Sequence, residues 1–241
     1  MKKDPTLVSV KRATRIVISL AVAGALAVTA GPFIYINVIR DDAPEMLSID
    51  DETANTAAVT SLAPATVDDP TGEWTATGES VVGYRVKEIL FGQDVEAVGR
   101  TSEVTGVLSV SGTKVNRAEF EVDMATIQSD SSRRDGQFNG RIMDVATYPT
   151  ATFALSAPID LPDNVLSGDV ISTSATGDLT LRGLAKPVTL DLQAQVKGSM
   201  VQVVGAITIE FDEWGIPDPS FSGAQVEQRG VLEFSLVFAR A

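Results

Sequence analysis

The sequence predicts an all-β domain of about eight antiparallel strands with one short helical excursion, preceded by a single transmembrane helix. Three observations support this: an uncharged apolar block near the N-terminus, two-residue alternation after residue 74, and glycine-containing breaks between the alternating runs. Alternation places one side of each strand in an apolar interior and the other in water. Because closure of the sheet removes its exposed edges, we expect a barrel.

The apolar block at 16–39 reads IVISLAVAGALAVTAGPFIYINVI and contains no charged residue. A helix of this length would extend roughly 36 Å, enough to cross a hydrocarbon core of about 30 Å. Residues 1–40 contain six basic side chains and one acidic one, so the positive-inside rule places the tail at 1–15 in the cytoplasm. The alternative is a signal peptide cleaved after Ala30, which would leave the domain secreted.

The segment that follows the apolar block is acidic and lacks a structural period. Between 41 and 73 there are nine acidic residues and no basic one. We therefore predict a disordered acidic tether at 40–72 and an extracytoplasmic β-barrel domain at 73–241. The residues after 73 include 22 acidic and 13 basic side chains, which excludes nucleic acid as an expected partner because phosphate binding needs clustered Lys and Arg.

The absence of cysteine and histidine restricts the chemistry open to this chain. Disulfides, Cys or His metal sites, histidine bases and Ser–His or Cys–His nucleophile pairs are all excluded. A hydrolase would have to use a Ser–Lys pair or paired carboxylates, and neither occurs at a convincing spacing. We therefore expect no enzyme activity, no catalytic residue, no metal and no cofactor.

Alternation is clearest at 118–124, 188–196 and 232–238, and the glycine-containing breaks at 111–113 and 182–184 suit hairpin turns. The pattern is interrupted at one place, residues 131–143. There Phe138, Ile142 and Met143 could share one helical face, which predicts the short helical excursion. A further strand is expected at 150–157.

Several short segments occur in a fixed order through the domain. They are SVVGYRV at 80–86, VTGVL at 104–108, FEVDM at 120–124, SRRD at 132–135 with Phe138, YPTATF at 148–153 and GDLTLRGLAKPV at 177–188. In this order and spacing they resemble the YceI-like family of bacterial proteins, which bind polyisoprenoids or related lipids. The resemblance implies a lipocalin-like extended antiparallel β-barrel whose hydrophobic pore encloses an isoprenoid chain without covalent chemistry.

One departure from the family pattern concerns the end of the first of these segments. Many relatives have a histidine just after it, whereas here Lys87 and Glu88 follow. A contact from that histidine to a lipid headgroup therefore cannot be transferred to this chain.

The inward apolar side chains of a β domain would ordinarily be expected to pack as a filled core. The resemblance instead makes them the wall of a ligand-binding pore. The predicted ligand-binding residues are Val82, Tyr84, Phe120, Val122, Phe138, Ile142, Phe153, Leu155, Leu179, Leu190, Leu192, Phe211, Trp214 and Phe221.

Two polar segments are candidates for other roles. Arg134 and Asp135 could anchor a headgroup, act as an acid/base pair or fix the helical excursion onto the barrel, and we favour the structural role because no second catalytic partner is found. The carboxylates at 212–219 could form an oxygen-only metal site. A turn with Trp214 lying over the barrel end is the interpretation we favour.

Together these patterns predict a membrane-anchored extracytoplasmic module that binds a long-chain isoprenoid or similar amphiphilic lipid, for sequestration or transport. The alternative is an envelope protein-interaction or structural domain with a packed barrel. The identity of the lipid and the oligomeric state are not determined by the sequence.

Overall fold

Antiparallel strands account for most of the residues that the computed structural model describes, which are 43–49, 69–221 and 223–241. Among these residues there are thirteen strands. In chain order they are β1 Gly72–Ala76, β2 Val81–Leu90, β3 Gln93–Thr101, β4 Val104–Ser111, β5 Lys114–Asp123, β6 Gln128–Ser129, β7 Thr150–Leu155, β8 Ile159–Asp160, β9 Ile171–Leu181, β10 Leu184–Lys197, β11 Met200–Glu210, β12 Ala224–Val226 and β13 Arg229–Arg240.

Eight of these strands close into a ring. Its order is β1, β4, β5, β7, β9, β10, β11 and β13, and β13 pairs with β1 again. The predicted antiparallel barrel of about eight strands is confirmed. The expected hairpins are also present, since β4 connects to β5 through Gly112 and β9 connects to β10 through Gly183.

The strands β1 and β2 lie end to end along β13. The C-terminal part of β13 pairs with β1, and its N-terminal part pairs with β2. Ser80 fills the break between them, where its Oγ accepts a hydrogen bond from the Val237 amide at 3.1 Å and lies 3.3 Å from the Val237 carbonyl. This buried hydroxyl satisfies the main chain of β13 at the point where the paired strand changes.

The helical excursion expected at 131–143 is present as helix α1, Ser132–Gln137, and a π-helical turn, Phe138–Ile142. Ser131 caps α1, because its Oγ accepts a hydrogen bond from the Arg134 amide at 3.4 Å. The strand expected at 150–157 is β7, which ends two residues earlier, at Leu155.

The predicted tether is in part attached to the barrel. Residues 43–49, which we call the clasp, hydrogen-bond to charged side chains on the outer surface of the domain. This differs from the expectation for 40–72, where the composition indicated a segment free of the barrel. Residues 40–42 and 50–68 lie outside the described residues.

The predicted transmembrane span at 16–39 and the cytoplasmic tail at 1–15 also lie outside the described residues. Within the described part of the chain, no helix has the length and apolar character needed to cross a bilayer.

Candidate functional site

The inner face of the barrel is one continuous apolar cluster. It contains thirteen of the fourteen predicted ligand-binding residues. Those that are buried are Val122, Phe138, Leu179, Leu190, Leu192, Phe211 and Trp214. Those that are partly buried and pack against them are Val82, Tyr84, Phe120, Ile142, Phe153 and Leu155. Contact of these residues with a lipid stays a prediction.

Phe221 does not join this cluster, which corrects its expected position. Its side chain is 40% exposed, and the guanidinium carbon of Arg133 lies 5.2 Å from the centroid of its ring. The physical reason is that Phe221 lies in the irregular segment between β11 and β12, where no strand period directs a side chain inward.

The fourteen predicted residues left out part of the interior. Trp74, Phe234, Leu236 and Phe238 are all buried in the cluster. The signal for the last three was available, because they alternate along the C-terminal run that predicted a strand. Trp74 had a weaker signal, since the short strand β1 offers too few residues for a period.

Three aromatic rings of the inner face lie over glycines directly opposite on the neighbouring strand. The pairs are Tyr84 with Gly99, Phe120 with Gly106, and Phe234 with Gly205. A Cβ at Gly106 would lie 2.2 Å from Cδ1 of Phe120, and a Cβ at Gly205 would lie 2.5 Å from Cζ of Phe234. Because these glycines lack a side chain, the rings lie against the wall rather than across the interior.

Two aromatic residues of the same wall are only partly buried. Phe120 faces inward between buried Ala118 and Val122, and β4 and β7 pair with its strand on both sides. Phe120 is nevertheless only partly buried, and so is Phe153, whose ring centroid lies 6.3 Å from that of Phe120. The neighbouring strands β4, β7 and β9 pair with the strands that carry these two residues.

A buried ion pair lies where α1 meets the barrel. Glu88 faces inward from β2, and its Oε1 lies 3.1 Å from Nη2 of Arg134. The two side chains are only 6% and 19% exposed. Burial would lower the pKa of Arg134, but the carboxylates of Asp130 and Glu88 outweigh it and raise that pKa. Arg134 therefore stays charged, and the carboxylates of Glu88 and Asp130 balance its charge where α1 meets the barrel.

Tyr84 connects this ion pair to the apolar wall. Its ring stacks on Phe138 with the centroids 5.0 Å apart and the planes 11° from parallel. Burial raises the pKa of the Tyr84 hydroxyl, an effect that the charge of Arg134 opposes only in part. Glu88 is not among the residues predicted to face inward, although the alternation that begins at Val82 reaches it.

Arg134 and Asp135 bond to different partners rather than to each other. Arg134 donates to Glu88 and Asp130, whereas Oδ1 of Asp135 accepts hydrogen bonds from the Ser129 amide at 2.9 Å and from its hydroxyl at 2.7 Å. These contacts hold α1 against β2 and β6, which supports the structural role over an acid/base pair.

The carboxylates at 212–219 belong to a turn. A 3-10 helix, Asp212–Trp214, ends at Gly215 with φ +61°, and Trp214 is buried. Asp218 accepts hydrogen bonds from Nε2 of Gln228 at 3.0 Å and from the Ser220 amide at 2.8 Å. In the described part of the chain, no three acidic side chains are grouped so as to hold a metal ion.

Solved structures share this fold. A polyisoprenoid-binding domain from Saccharophagus degradans superimposes with a TM-score of 0.57 at 13% identity, over 70% of this chain and 98% of that one. Burkholderia cenocepacia BcnA gives a TM-score of 0.54 at 22% identity, over 66% of this chain and 96% of that one. At these identities the likeness shows the fold alone.

Sequence relatives and a family model extend the comparison. UPF0312 proteins of Vibrio parahaemolyticus and Shewanella denitrificans are 28% identical over 116 residues and 32% identical over 96 residues. The matches cover 45% and 39% of this chain, respectively. They cover 56% and 47% of the relatives, so this chain spans about half the length of each relative. The model of the YceI-like domain matches residues 74–238. That match covers most of the chain, and the protein belongs to the YceI-like family.

Proposed function

We propose that this protein is a membrane-anchored extracytoplasmic carrier that holds a long-chain isoprenoid or a related amphiphilic lipid inside its barrel, without chemical conversion. The proposal covers both sequestration and transport of the lipid. It accords with the polyisoprenoid binding named for the structurally similar domain from Saccharophagus degradans.

The observation that carries the proposal is the character of the inner wall. The cluster that forms it is apolar, three of its rings lie over glycines, and several inward residues are only partly buried. Each 100 Å² of lipid surface buried against such a wall would contribute about 2.5 kcal/mol of binding free energy before association costs are subtracted. A long hydrocarbon chain supplies several times that area.

The proposed location rests on the N-terminal sequence. The uncharged run at 16–39, preceded by basic residues, is typical of a membrane anchor with the domain outside. An anchored barrel stays near the bilayer, where isoprenoid lipids reside. If the run is cleaved as a signal peptide, the domain is exported without the anchor.

The experiment that tests the proposal is extraction of lipid from the full-length protein purified from its own host, with native mass spectrometry of the intact complex. We expect a bound lipid near one molecule per barrel. A protein that carries no lipid under these conditions would contradict the proposal and favour the alternative, an envelope interaction domain with a packed barrel.

A pair of variants on one strand shows where any bound lipid lies. Leu192 faces inward on β10 opposite Gly205, and its neighbour Gln193 is exposed on the outside. Leu192→Trp fills interior space and should abolish lipid recovery, whereas Gln193→Trp adds the same side chain outside and should leave recovery unchanged. Equal lipid recovery from both variants would place the lipid elsewhere.

A further inference from the structure

The outer face of β2, β3 and β13 has a charged cluster that is unusually well buried. Glu233 is fully buried, and its Oε1 lies 2.8 Å from Nη2 and 2.9 Å from Nε of Arg100. Its Oε2 lies 3.4 Å from Nε of Arg85. Arg85 also pairs with Glu96. Charges on the outside of a barrel are ordinarily solvated, so this burial requires a cover.

A glycine brings the two main partners together. Glu233 on β13 and Arg100 on β3 both lie opposite Gly83 on the strand between them. A Cβ at Gly83 would lie 2.7 Å from Cγ of Arg100. The arginine therefore crosses β2 directly over the glycine and reaches the carboxylate.

The clasp, residues 43–49, provides the cover. Nη2 of Arg85 donates a hydrogen bond to the Pro44 carbonyl at 2.6 Å, and Arg100 donates to the Glu45 carbonyl. The Leu47 amide lies 3.3 Å from Oε2 of Glu233.

The far end of the clasp is held in the same way. Nζ of Lys197, on β10, donates a hydrogen bond to the Ile49 carbonyl at 3.0 Å, and the Ile49 side chain is only 3% exposed. Each of these four hydrogen bonds uses a main-chain group of the clasp rather than one of its side chains.

We propose that this outer face is a binding surface for a peptide segment, that it recognises the segment through main-chain groups, and that its occupant is the clasp of the same chain. Two guanidinium groups and one ammonium group donate to carbonyls, and one buried carboxylate accepts from an amide. Such a set matches the carbonyl acceptors and amide donors that the main chain of any peptide presents. Covalent linkage keeps the local concentration of the clasp high, which favours the intramolecular occupant.

A bound clasp extends the folded domain beyond the barrel, whether or not the barrel holds a lipid. The YceI-like match begins at residue 74, yet the cover of Glu233 comes from residues 43–49. The clasp is thus part of the folded unit, although a long acidic stretch separates it from the first strand of the barrel.

The absence of cysteine provides a direct test in the full-length chain. Ile49→Cys places a thiol at the buried end of the clasp, whereas Met46→Cys places one at a position that is 48% exposed. With a bound clasp, the thiol at 49 should react with a disulfide reagent about tenfold or more slowly than the thiol at 46, because local opening limits its reaction. Both should react alike in denaturant. Equal rates in native buffer would overturn the proposal.

Recognition through the main chain is tested in the Ile49→Cys background. Leu47→Pro removes the amide hydrogen that Glu233 accepts, whereas Leu47→Ala retains it. The thiol at 49 should become more reactive with Leu47→Pro and stay protected with Leu47→Ala, while near-ultraviolet circular dichroism shows an intact barrel in both. Protection that survives both changes, or is lost equally in both, would overturn main-chain recognition.

The identity of the occupant is tested by dilution. An intramolecular clasp protects the thiol at 49 equally at all protein concentrations. If dilution dissociates a dimer and the protection of the thiol is lost in parallel, a second copy provides the clasp. That result would overturn the intramolecular assignment.

Discussion

The two faces of strand β2 present side chains of opposite character. Tyr84 points into the barrel and lies over Gly99, whereas its neighbour Arg85 points outward to Glu233. The inner face is apolar, while the outer face is charged and covered by the clasp. Each arrangement depends on a glycine. Gly99 leaves room for the Tyr84 ring inside, and Gly83 lets Arg100 reach Glu233 outside.

Burial has different energetic consequences on the two faces. A substitution in the apolar wall leaves no polar group without a partner. A substitution in the buried charge cluster does, because the carboxylate needs every donor that surrounds it. The outer face should therefore be the more sensitive of the two to a single substitution.

The largest expected effect is that of Glu233→Ala. Removing this carboxylate takes away the acceptor that Arg85, Arg100 and the Leu47 amide share. We expect the free energy of unfolding to fall by about 3–5 kcal/mol, as when one partner of a buried ion pair is lost. Urea unfolding followed by tryptophan fluorescence measures this change.

The control is Glu227→Ala. Glu227 pairs with Arg229 at 3.6 Å, and their side chains are 47% and 61% exposed. Its loss should change stability by no more than about 0.5–1 kcal/mol. If the two glutamate variants prove equally stable, the contrast between the covered outer face and the open surface is wrong.

An intermediate effect is expected from Gly106→Ala on the inner wall. The new methyl group would overlap the ring of Phe120, so the ring must swing into the barrel. Overpacking of this kind should lower the free energy of unfolding by about 1–3 kcal/mol and should also reduce the amount of lipid recovered.

Gly78→Ala is the matched control for the wall, since a Cβ there meets no atom within 4 Å. Its unfolding midpoint in urea should differ little from that of the unchanged protein. If Gly106→Ala is as stable as Gly78→Ala and the amount of lipid recovered is unchanged, the position of the rings does not depend on the glycines.

The smallest effect is expected at alkaline pH and concerns Tyr84. Its pKa is raised by burial, so the native state resists loss of the phenolic proton while the unfolded chain loses it near pH 10. The stability contributed by the neutral phenol is thus fully present below about pH 10 and declines as the pH rises above that value.

Urea midpoints of the unchanged protein and of Tyr84→Phe, compared across this range, isolate that contribution. The difference between the two proteins should be constant below about pH 10 and should shift in favour of the phenylalanine variant above it. A difference that stays constant throughout would show that the inner face is hydrated around Tyr84.

The sequence predicted the inner face better than the outer one, for a physical reason. Alternation reports which side of a strand is apolar, so the strands and most of the inward apolar positions could be predicted from it, and its interruption indicated the helical excursion. It failed for Phe221, which belongs to no regular strand. It also gave no sign that Glu233 is buried, because a charge at an outward position is ordinarily solvated.

The clasp could not be predicted from composition. It is held through main-chain amide and carbonyl groups, and every residue except proline has both. The identity of its side chains therefore gives little indication that it binds. The donors that hold it, such as Arg85 and Lys197, are far away in the sequence. Only the folded arrangement brings them to one face.

The ring closes where the first and last strands of the described domain meet, with Thr75 opposite Ala239. These two strands are separated by nearly the whole domain, so their pairing is among the least local contacts that the chain makes. During synthesis, β1 cannot pair with β13 until β13 has left the ribosome. Until then the apolar wall lies open along one edge, which implies slow completion of folding and a need for protection of the unfinished sheet against aggregation.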